Sequence, residues 1–411
     1  MFVAVVGGGP AGMAAAVSAK KAGADHVVII ERAERLGGVL PQCIHSGFGV
    51  NYYGEDLTGP EFAERLRADV KAANIEVWLN AMVIEAYPDK TLIVSRPEGI
   101  SAVKPDAVIF AVGARERPRG AIAIPGTRPA GVYTAGTAQY MINIQGFEVG
   151  KEVFVLGSGD IGLITARRMA LEGAKVHGVA ELMPFPGGLA RNVQQCLKDF
   201  DIPLLLSHTV TEVLGSERVE AVKVAEVRNG KAVPNTERVF PVDTLVLSVG
   251  LLPEAELLRQ IGLRILPYTG SAAVDQFFQT DISGVFVVGN GVGIWDLVDN
   301  VAISASIAGA RAAKSQGDRS ELAEISPTDT VRVVIPQRLS LGELEPPRLW
   351  FRVACPMPVG VALLTRGEDE VIARKGFAGL KPAEMAEFPL KEEQYRAIKP
   401  GDKLQLKVAQ P

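Results

Sequence analysis

The sequence contains few cysteine residues, and none of them lies near another. Of its 411 residues only three are cysteine, namely Cys43, Cys196 and Cys355. This spacing excludes a C-x-x-C redox pair, a C-x4-C pair and any local cysteine framework for an iron–sulfur cluster. Free cysteines in small number are typical of a reducing compartment, so we expect a cytoplasmic protein. We expect Cys196 and Cys355 to be packing residues.

Long apolar runs and an excess of one charge are also lacking. No stretch reaches the roughly 20 apolar residues of a membrane span, so none is predicted. The net charge of −4 gives no sign of a nucleic-acid partner or an anionic membrane surface. The apolar N-terminus lacks the basic region of a signal peptide. A chain of this length and 47% hydrophobic content is typical of a globular protein with two or three domains.

Glycine, in contrast, is arranged in a recognisable motif at the N-terminus. The apolar run 2–6 predicts a strand, the alanine-rich run 13–24 predicts a helix, and Gly7, Gly9 and Gly12 lie between them in G-x-G-x-x-G spacing. Such glycines allow a tight turn, the approach of a pyrophosphate and close packing of helix on strand. Pro10 suits the first turn of the helix, whose N-terminus attracts phosphate.

An acidic residue follows this motif at the distance that a dinucleotide site requires. The apolar run 27–30 predicts a second strand and ends in Glu31. An acid about 20 residues after the glycines accepts hydrogen bonds from a ribose hydroxyl. The glycine-rich stretch 36–49 predicts a loop near the ligand-binding edge of the sheet. Thr58 and Glu61 predict a capping box that opens a helix over 60–73.

A second complete motif occurs about 150 residues later. A strand over 153–156 leads into Gly157, Gly159 and Gly162, a helix follows over 161–173, and a strand over 175–180 ends in Glu181. We therefore predict two separate dinucleotide sites. Glu181 would accept from a free 2′-hydroxyl and repel a 2′-phosphate, which favours NAD(H) over NADP(H).

Three more strands end in glycine, and the architecture repeats. The runs 107–113 and 243–250 each stop at a glycine, and the run 284–291 ends in Gly289 and Asn290. Asp296 precedes a predicted helix over 297–315 and is expected to cap it. The helix would direct its N–H groups at an anionic or carbonyl ligand atom.

Beyond residue 326 short strand-like runs, broken by proline and glycine, predict a small β-rich domain. The runs cover 331–335, 350–353, 361–364 and 403–408, and this part of the chain contains no histidine. We expect Trp350 and Phe351 to lie on its surface and to serve in partner docking.

This order of motifs resembles the FAD- and NAD-linked relatives of glutathione and thioredoxin reductases. The resemblance implies an α/β protein with two Rossmann-like dinucleotide-binding domains, for FAD and for NAD, and a small β-rich C-terminal domain. It implies an FAD domain over 1–115 and 270–325, an NAD(P)H domain over 116–269 and a third domain over 326–411. The disulfide reductases need a cysteine pair near the flavin and a histidine base, and this sequence has neither, so disulfide reduction of that kind is not expected.

The resemblance also implies the roles of individual residues. The residues assigned to FAD are Gly7, Gly9, Pro10, Ala11, Gly12, Glu31, Arg32, Gly38, Val39, Gly113, Ala114, Gly289, Asn290, Asp296 and Leu297. Those assigned to NAD are Gly157, Gly159, Asp160, Ile161, Gly162, Glu181 and Gly250.

A narrower resemblance rests on the stretches 42–49, 157–162, 187–192 and 295–299. They are similar to bacterial flavoprotein subunits that associate with anaerobic glycerol-3-phosphate dehydrogenase-type proteins and with multi-subunit amino-acid dehydrogenases. This implies a hetero-oligomer with a partner dehydrogenase subunit, which an iron–sulfur protein accompanies; a homodimer is the alternative.

Three functions stay open from the sequence. The first is an electron-transfer subunit working between NAD(H) and a partner. The second is a self-sufficient oxidase, peroxidase or CoA-disulfide reductase-like enzyme that uses Cys43, with His45 as the nearest proton donor. The third is a structural FAD-binding subunit without turnover.

Overall fold

The computed structural model describes residues 1–314, 321–367 and 370–410. Within them the chain divides into two compact units, one formed by Met1–Ala114 and Pro253–Pro411 and the other by Arg115–Leu252. The sequence predicted a return to the first domain at residue 270. The structure places the return at 253, because the helix Glu256–Gln260 and its neighbours pack on the core of the first unit. The structure also groups the segment beyond 326 with that unit rather than separating it.

The first unit is built on a parallel sheet whose central strand leads into the N-terminal glycine motif. Its strands, in spatial order, are Val285–Val287, Ala107–Phe110, Phe2–Val6, His26–Ile30 and Glu76–Trp78. The four strands other than the edge strand Glu76–Trp78 are rich in β-branched residues and mostly buried, as parallel strands covered on both faces are. Its helices are Pro10–Lys21, Gly59–Ala72, Glu256–Gln260 and Val298–Ala312. Thr58 and Glu61 form the predicted capping box at the second of these helices.

The alanine-rich sequence of the first helix has a packing reason. Helix Pro10–Lys21 lies against Val298–Ala312, which we call the return helix. A Cβ atom at Gly309 would lie only 2.1 Å from the carbonyl oxygen of Ala15, so the two backbones approach very closely. Only small side chains permit such an approach, and alanine supplies them without loss of helix propensity.

Two small antiparallel elements complete this part of the unit. A three-stranded sheet contains Met82–Ala86, Leu92–Arg96 and Gly99–Val103, and a hairpin contains Ser46–Phe48 and Leu57–Thr58.

The second unit repeats the design of the first. Its parallel strands, in spatial order, are Val132–Thr134, Thr244–Leu247, Glu152–Leu156, Lys175–Glu181 and Leu204–Leu206. Its helices are Arg119–Ile122, Ala135–Asn143, Asp160–Leu171 and Ala190–Cys196. A smaller antiparallel sheet contains His208–Leu214, Ala221–Arg228, Lys231–Ala232 and Arg238–Pro241. The strands Ala114–Glu116 and Leu251–Pro253, which connect the units along the chain, pair with each other.

The C-terminal segment of the first unit is β-rich and has a hydrophobic core of its own. One sheet contains, in spatial order, Arg338–Ser340, Leu322–Pro327, Lys403–Ala409, Met357–Arg366 and Glu370–Leu380. A second contains Val331–Ile335, Arg348–Val353 and Ala386–Pro389, and a short helix covers Glu392–Arg396. Within the described residues, no helix has both the length and the apolar character that crossing a membrane requires.

Two surface expectations for this segment were wrong. Trp350 is 6% exposed and Phe351 is fully buried. The indole of Trp350 packs edge-on against Trp295 at 5.5 Å and beside Phe278 at 6.0 Å. Cys355, expected to be a packing residue, is exposed, whereas Cys196 is buried as expected. Trp350 therefore fastens the C-terminal segment to the rest of its unit and presents almost no surface to a partner.

Candidate nucleotide-binding sites

The first glycine motif lies at the carboxyl end of the central strand, where close backbone packing leaves no room for side chains. Gly7 has φ +105°, and a Cβ atom on it would lie 2.4 Å from the carbonyl oxygen of Ala111. A Cβ atom on Gly12 would lie 1.8 Å from the carbonyl oxygen of Gly7. These two positions therefore accept only glycine in this arrangement.

The helix that follows begins without a side-chain cap. Gly9 is its N-cap residue, Pro10 its first residue, and its first backbone hydrogen bond runs from the Met13 N–H to the Gly9 carbonyl, at 3.0 Å. The N–H groups of Ala11 and Gly12 precede that bond and point along the helix axis, where a phosphate is attracted.

Glu31 is buried and tied to the motif. Its Oε2 accepts a hydrogen bond from the Gly8 N–H at 2.5 Å, and its Oε1 accepts one from the Ala33 N–H at 2.8 Å. A carboxylate has about four acceptor sites, so both oxygens retain the capacity to accept from ribose hydroxyls. The next residue, Arg32, is exposed.

The loop after this strand lies over the motif. The Gly37 N–H donates to the Gly8 carbonyl at 2.8 Å, and a Cβ atom on Gly38 would lie 3.0 Å from the Cα atom of Gly9. Val39 follows and is 62% exposed. The structure thus brings Gly38 and Gly9 together, as an interaction of both with one diphosphate requires.

The other end of the site is formed by two neighbouring strands. Gly113, at φ +72°, follows Ala107–Phe110 and leads into Ala114. Gly289, at φ +61°, follows Val285–Val287, and a Cβ atom on it would lie 2.7 Å from the Cβ atom of Ala11. Three strand spacings, roughly 14 Å, separate this end from the strand of Glu31. The glycine motif and the two glycine-ended strands therefore lie along one edge of the sheet, at the carboxyl ends of parallel strands, where open α/β sheets bind ligands.

Asn290 has a structural role in the turn that follows. Its Oδ1 accepts a hydrogen bond from the Trp295 N–H at 3.0 Å, and the Trp295 indole N–H donates to the Gly289 carbonyl at 3.2 Å. These bonds fold residues 289–295 into a compact turn ahead of the return helix.

The predicted cap at Asp296 was wrong. The return helix begins at Val298 with Leu297 as its N-cap, and no side chain caps it. Asp296 instead accepts a hydrogen bond from the Met385 N–H at 3.3 Å and lies 3.5 Å from a guanidinium nitrogen of Arg352. Both partners belong to the C-terminal segment, so no local pattern indicated them.

Cys43 and His45 lie in the loop that joins the second strand to the next helix. The Cys43 thiol is half-buried and donates to the Val39 carbonyl at 3.4 Å. Burial raises the pKa of this thiol to about 11, so it is protonated and weakly nucleophilic at neutral pH. His45 is half-buried, and its ring packs at 4.9 Å from that of Phe48.

Asp299 in the return helix was not assigned a role from the sequence. It is 2% exposed and accepts hydrogen bonds from three backbone N–H groups in the loop that carries Cys43. Its position in a first helical turn is an ordinary place for an acid, and its partners lie about 250 residues away in the chain, so no local pattern could have revealed it.

The second motif has the same construction as the first. Gly157 has φ +99°, and a Cβ atom on it would lie 2.0 Å from the carbonyl oxygen of Ser248. A Cβ atom on Gly162 would lie 2.6 Å from the Ser248 Cβ atom. Gly159 is the N-cap residue of the helix Asp160–Leu171, which again has no side-chain cap. Gly250, at φ +102°, ends the neighbouring strand region with open space beside it.

Glu181 occupies the place that Glu31 has in the first unit. It accepts hydrogen bonds from the Ser158 N–H at 3.0 Å, the Ser158 hydroxyl at 2.6 Å and the Met183 N–H at 2.9 Å. The two acids thus make matching bonds to the second motif residue and to the residue two positions after the acid.

A second glycine pair, which the sequence reasoning did not connect with the first, covers this motif. Gly187 and Gly188 follow Glu181 at the spacing with which Gly37 and Gly38 follow Glu31. The Gly187 N–H donates to the Ser158 hydroxyl at 2.7 Å. Oδ1 of Asp160, at the helix start, accepts from the Leu189 N–H at 2.8 Å and from the Asn192 amide at 2.6 Å. Ile161 is partly buried and packs against the core of the unit.

Comparison with known proteins agrees with this construction. Residues 1–317 match the family model described as Pyridine nucleotide-disulphide oxidoreductase. The chain belongs to this family. FAD and NAD(P)H are cofactors of the family. Both sites in the structure have the backbone donors and the buried acid that suit such cofactors.

Individual relatives share about a quarter to a third of their residues with this chain. Hydrogen cyanide synthase subunit HcnB of Pseudomonas aeruginosa is 29% identical over 63% of this chain and 59% of its own length. An opine oxidase subunit of Agrobacterium tumefaciens is 28% identical over 78% and 65%. Thioredoxin reductase of Listeria innocua is 27% identical over 70% and 85%. The chain therefore spans about three fifths of the length of the first two proteins.

Solved structures show the same fold. Thioredoxin reductase from T. acidophilum superposes with a TM-score of 0.63 at 24% identity, over 76% of this chain and 97% of that one. The NAD-dependent persulfide reductase from A. fulgidus gives 0.58 at 21% identity, over 91% and 70%. The α/β fold class with two dinucleotide-binding domains, predicted from the sequence, is confirmed. These proteins do not bear on an association with glycerol-3-phosphate dehydrogenase-type partners, which stays a prediction.

Proposed function

We propose that the protein is an FAD-dependent oxidoreductase that passes electrons between NAD(H) and a partner dehydrogenase or electron carrier. The observation that carries this proposal is the presence of two separate, structurally matching dinucleotide sites, each with obligatory glycines and a buried acid. Bound FAD would supply the redox chemistry, accepting hydride equivalents from NADH and delivering electrons onward.

The residues of the chain bind and orient the two nucleotides. In the first unit, Glu31 holds the adenosine ribose, the N–H groups of Ala11 and Gly12 hold the diphosphate, and Gly113 and Gly289 line the route to the flavin. The uncapped start of the return helix would offer N–H groups to a flavin group that gains negative charge on reduction. In the second unit, Glu181 holds the ribose of NAD(H) and disfavours the 2′-phosphate of NADP(H).

The second half-reaction depends on a partner. Among the described residues no group of His, Cys, Asp or Glu side chains is arranged to hold a metal ion. The raised pKa of Cys43 argues against a role for its thiolate at neutral pH. Two of the relatives are named as subunits, which supports a role in a complex. A dehydrogenase subunit and an iron–sulfur protein are the partners that we propose for this chain. Glycerol-3-phosphate dehydrogenase-type and amino-acid dehydrogenase complexes are the proposed settings, and a homodimer is the alternative.

The deciding experiment is an anaerobic titration of the purified protein with NADH, in which the visible absorption spectrum is recorded after each addition. We expect a yellow protein that about one equivalent of NADH bleaches and NADPH bleaches far less readily. Rapid reduction of an artificial dye with slow reduction of oxygen would fit an electron-transfer subunit. A yellow protein that neither nucleotide bleaches would instead indicate a structural FAD subunit, and strong turnover of a small substrate without a partner would indicate a self-sufficient enzyme.

A further inference from the structure

Asp299 is a buried carboxylate that the binding roles above do not use. It lies in the first turn of the return helix and is 2% exposed. A buried charge is costly unless hydrogen bonds compensate it, so its surroundings indicate why it is there.

Its partners are three N–H groups from one short stretch of chain. Oδ2 accepts from the Gly49 N–H at 3.0 Å, and Oδ1 accepts from the N–H groups of Asn51 and Tyr52 at 2.8 and 2.9 Å. Backbone N–H groups that converge on an anion form a strong, charge-assisted site. Here the anion is a side chain of the protein, and the stretch 49–52 wraps around it.

The wrapped stretch belongs to the loop between the 3-10 turn Leu40–Gln42 and the helix Gly59–Ala72. This loop, residues 43–58, begins at Cys43 and passes through His45 and Phe48. Gly49 has φ +89°, and a Cβ atom on it would lie 3.0 Å from the Glu55 carbonyl oxygen, so the turn is tight. Apart from one short hairpin the loop has little regular structure. Three of its backbone N–H groups are held by hydrogen bonds to Asp299.

The helix on the other side of these bonds starts close to one end of the first site. Gly289 and Asn290 precede it, and its N-terminal N–H groups have no side-chain cap. Asp299 therefore joins the 43–58 loop to the start of the return helix, which follows Gly289 at the first site.

We propose that Asp299 is a positioning residue that holds the 43–58 loop against the return helix and thereby fixes the flavin end of the first dinucleotide site. This inference rests on the proposed binding of FAD there. Asparagine at position 299 can still accept from Asn51 and Tyr52 but turns an NH2 group toward the Gly49 N–H, and alanine leaves all three N–H groups without their acceptor.

The test compares wild type, Asp299→Asn and Asp299→Ala with Asp56→Asn as a matched control. Asp56 lies in the same loop and accepts a single hydrogen bond, from the Gly47 N–H at 2.7 Å, with an exposed carboxylate. Three quantities are measured: hydrogen–deuterium exchange of the amides of residues 47–52, the FAD dissociation constant, and the absorption maxima of the bound flavin.

We expect faster exchange at residues 49, 51 and 52 in both Asp299 variants, about tenfold weaker FAD binding in Asp299→Ala, and shifted flavin maxima in Asp299→Asn. Asp56→Asn should change exchange at residue 47 only and leave FAD affinity within about twofold. In wild type, adding FAD should slow exchange at residues 49, 51 and 52, which tests the coupling even where a variant does not fold.

The inference would be overturned if both Asp299 variants bound FAD with the affinity and the absorption spectrum of the wild type. It would also be overturned if adding FAD to the wild type left the exchange of the amides of residues 49, 51 and 52 unchanged. These outcomes differ from failure of the proposed function, in which the wild-type protein itself would bind no FAD or would not respond to NADH.

Discussion

At the scale of single residues, Cys43 separates the alternative functions. Burial raises the pKa of the Cys43 thiol to about 11, so only a very small fraction of it is ionised at pH 7. We expect alkylation of Cys43 by iodoacetamide to be slow at pH 7 and to rise about tenfold per pH unit from pH 8 to 10, because only the thiolate reacts. Labelling of the Cys43 peptide, read by mass spectrometry beside that of exposed Cys355, measures this. Cys43→Ser should keep NADH-dependent dye reduction within about twofold, and its inactivity would restore the cysteine-based alternative.

The two buried acids offer a second prediction at this scale, with each serving as the control for the other. In the proposed site the Glu181 carboxylate holds the ribose of NAD(H). Glu181→Gln removes its charge, so we expect KM for NADH to rise about tenfold with little change in kcat. The preference for NADH over NADPH should narrow, because the repulsion of a 2′-phosphate is lost. Glu31→Gln, assayed with excess FAD, should weaken FAD binding and leave KM for NADH unchanged. A Glu181→Gln variant with wild-type kinetics would remove that acid from the site.

At the scale of elements, the glycines that join strand to helix are predicted to be essential for nucleotide binding in their own unit and not in the other unit. Gly12→Ala brings a Cβ atom against the Gly7 carbonyl oxygen, and Gly162→Ala brings one against Ser248. We expect Gly12→Ala to lose FAD and at least ~1–3 kcal/mol of stability, and Gly162→Ala to remain yellow while losing its response to NADH. Gly376→Ala is the control, since Gly376 has open space around it and no positive φ. Visible spectra and chemical denaturation measure both effects.

The contrast between these glycines and Asp296 shows what sequence can predict for an element. In each unit the acid follows the motif glycines by fewer than 25 residues, and the structure joins Glu31 to Gly8 and Glu181 to Ser158, as this short spacing allows. Their binding of nucleotides stays a prediction. Asp296 also stands at a typical capping distance from a helix, yet it contacts Arg352 and Met385, which only the folded C-terminal segment brings near. Asp299 likewise bonds to N–H groups about 250 residues away in the chain, so no local pattern predicted its role. Local periodicity fixes strands and turns, while the partner of a buried charge depends on packing between distant stretches.

At the scale of the whole molecule, Trp350 is predicted to be a structural anchor. It packs between Trp295 and Phe278 and is almost completely buried. Trp350→Ala should therefore lower the free energy of unfolding by about 3–5 kcal/mol, measured by urea denaturation. Leu344→Ala is the control, because Leu344 is apolar, in the same segment and 96% exposed, and should change stability by less than about 0.5 kcal/mol. Equal stability of the two variants would show that the segment folds independently of the turn before the return helix.

The same packing changes how partner docking must be tested. Deleting residues 328–411 would uncover Trp295 and Phe278, so loss of a complex after that deletion would reflect damage to the first unit as much as loss of a docking surface. Substitution of exposed residues such as Leu344, Val359 and Val371 leaves the core intact and is the cleaner test.

The paired strands Ala114–Glu116 and Leu251–Pro253 have a consequence for how such a molecule can be rebuilt. The Glu254 N–H donates to the Gly113 carbonyl and the Arg117 N–H donates to the Gly250 carbonyl, both at 3.0 Å, so the outgoing and incoming chains run side by side. The second unit therefore enters and leaves the rest of the chain at two adjacent positions. It can be treated as a cassette, meaning a segment that is removed or replaced at these two positions. Excising residues 117–250 and closing the gap with a two-residue Asn-Gly turn should leave a shortened protein that stays yellow and ignores NADH. Inserting a cassette from a relative at the same cut points would transplant a different nucleotide preference in one step.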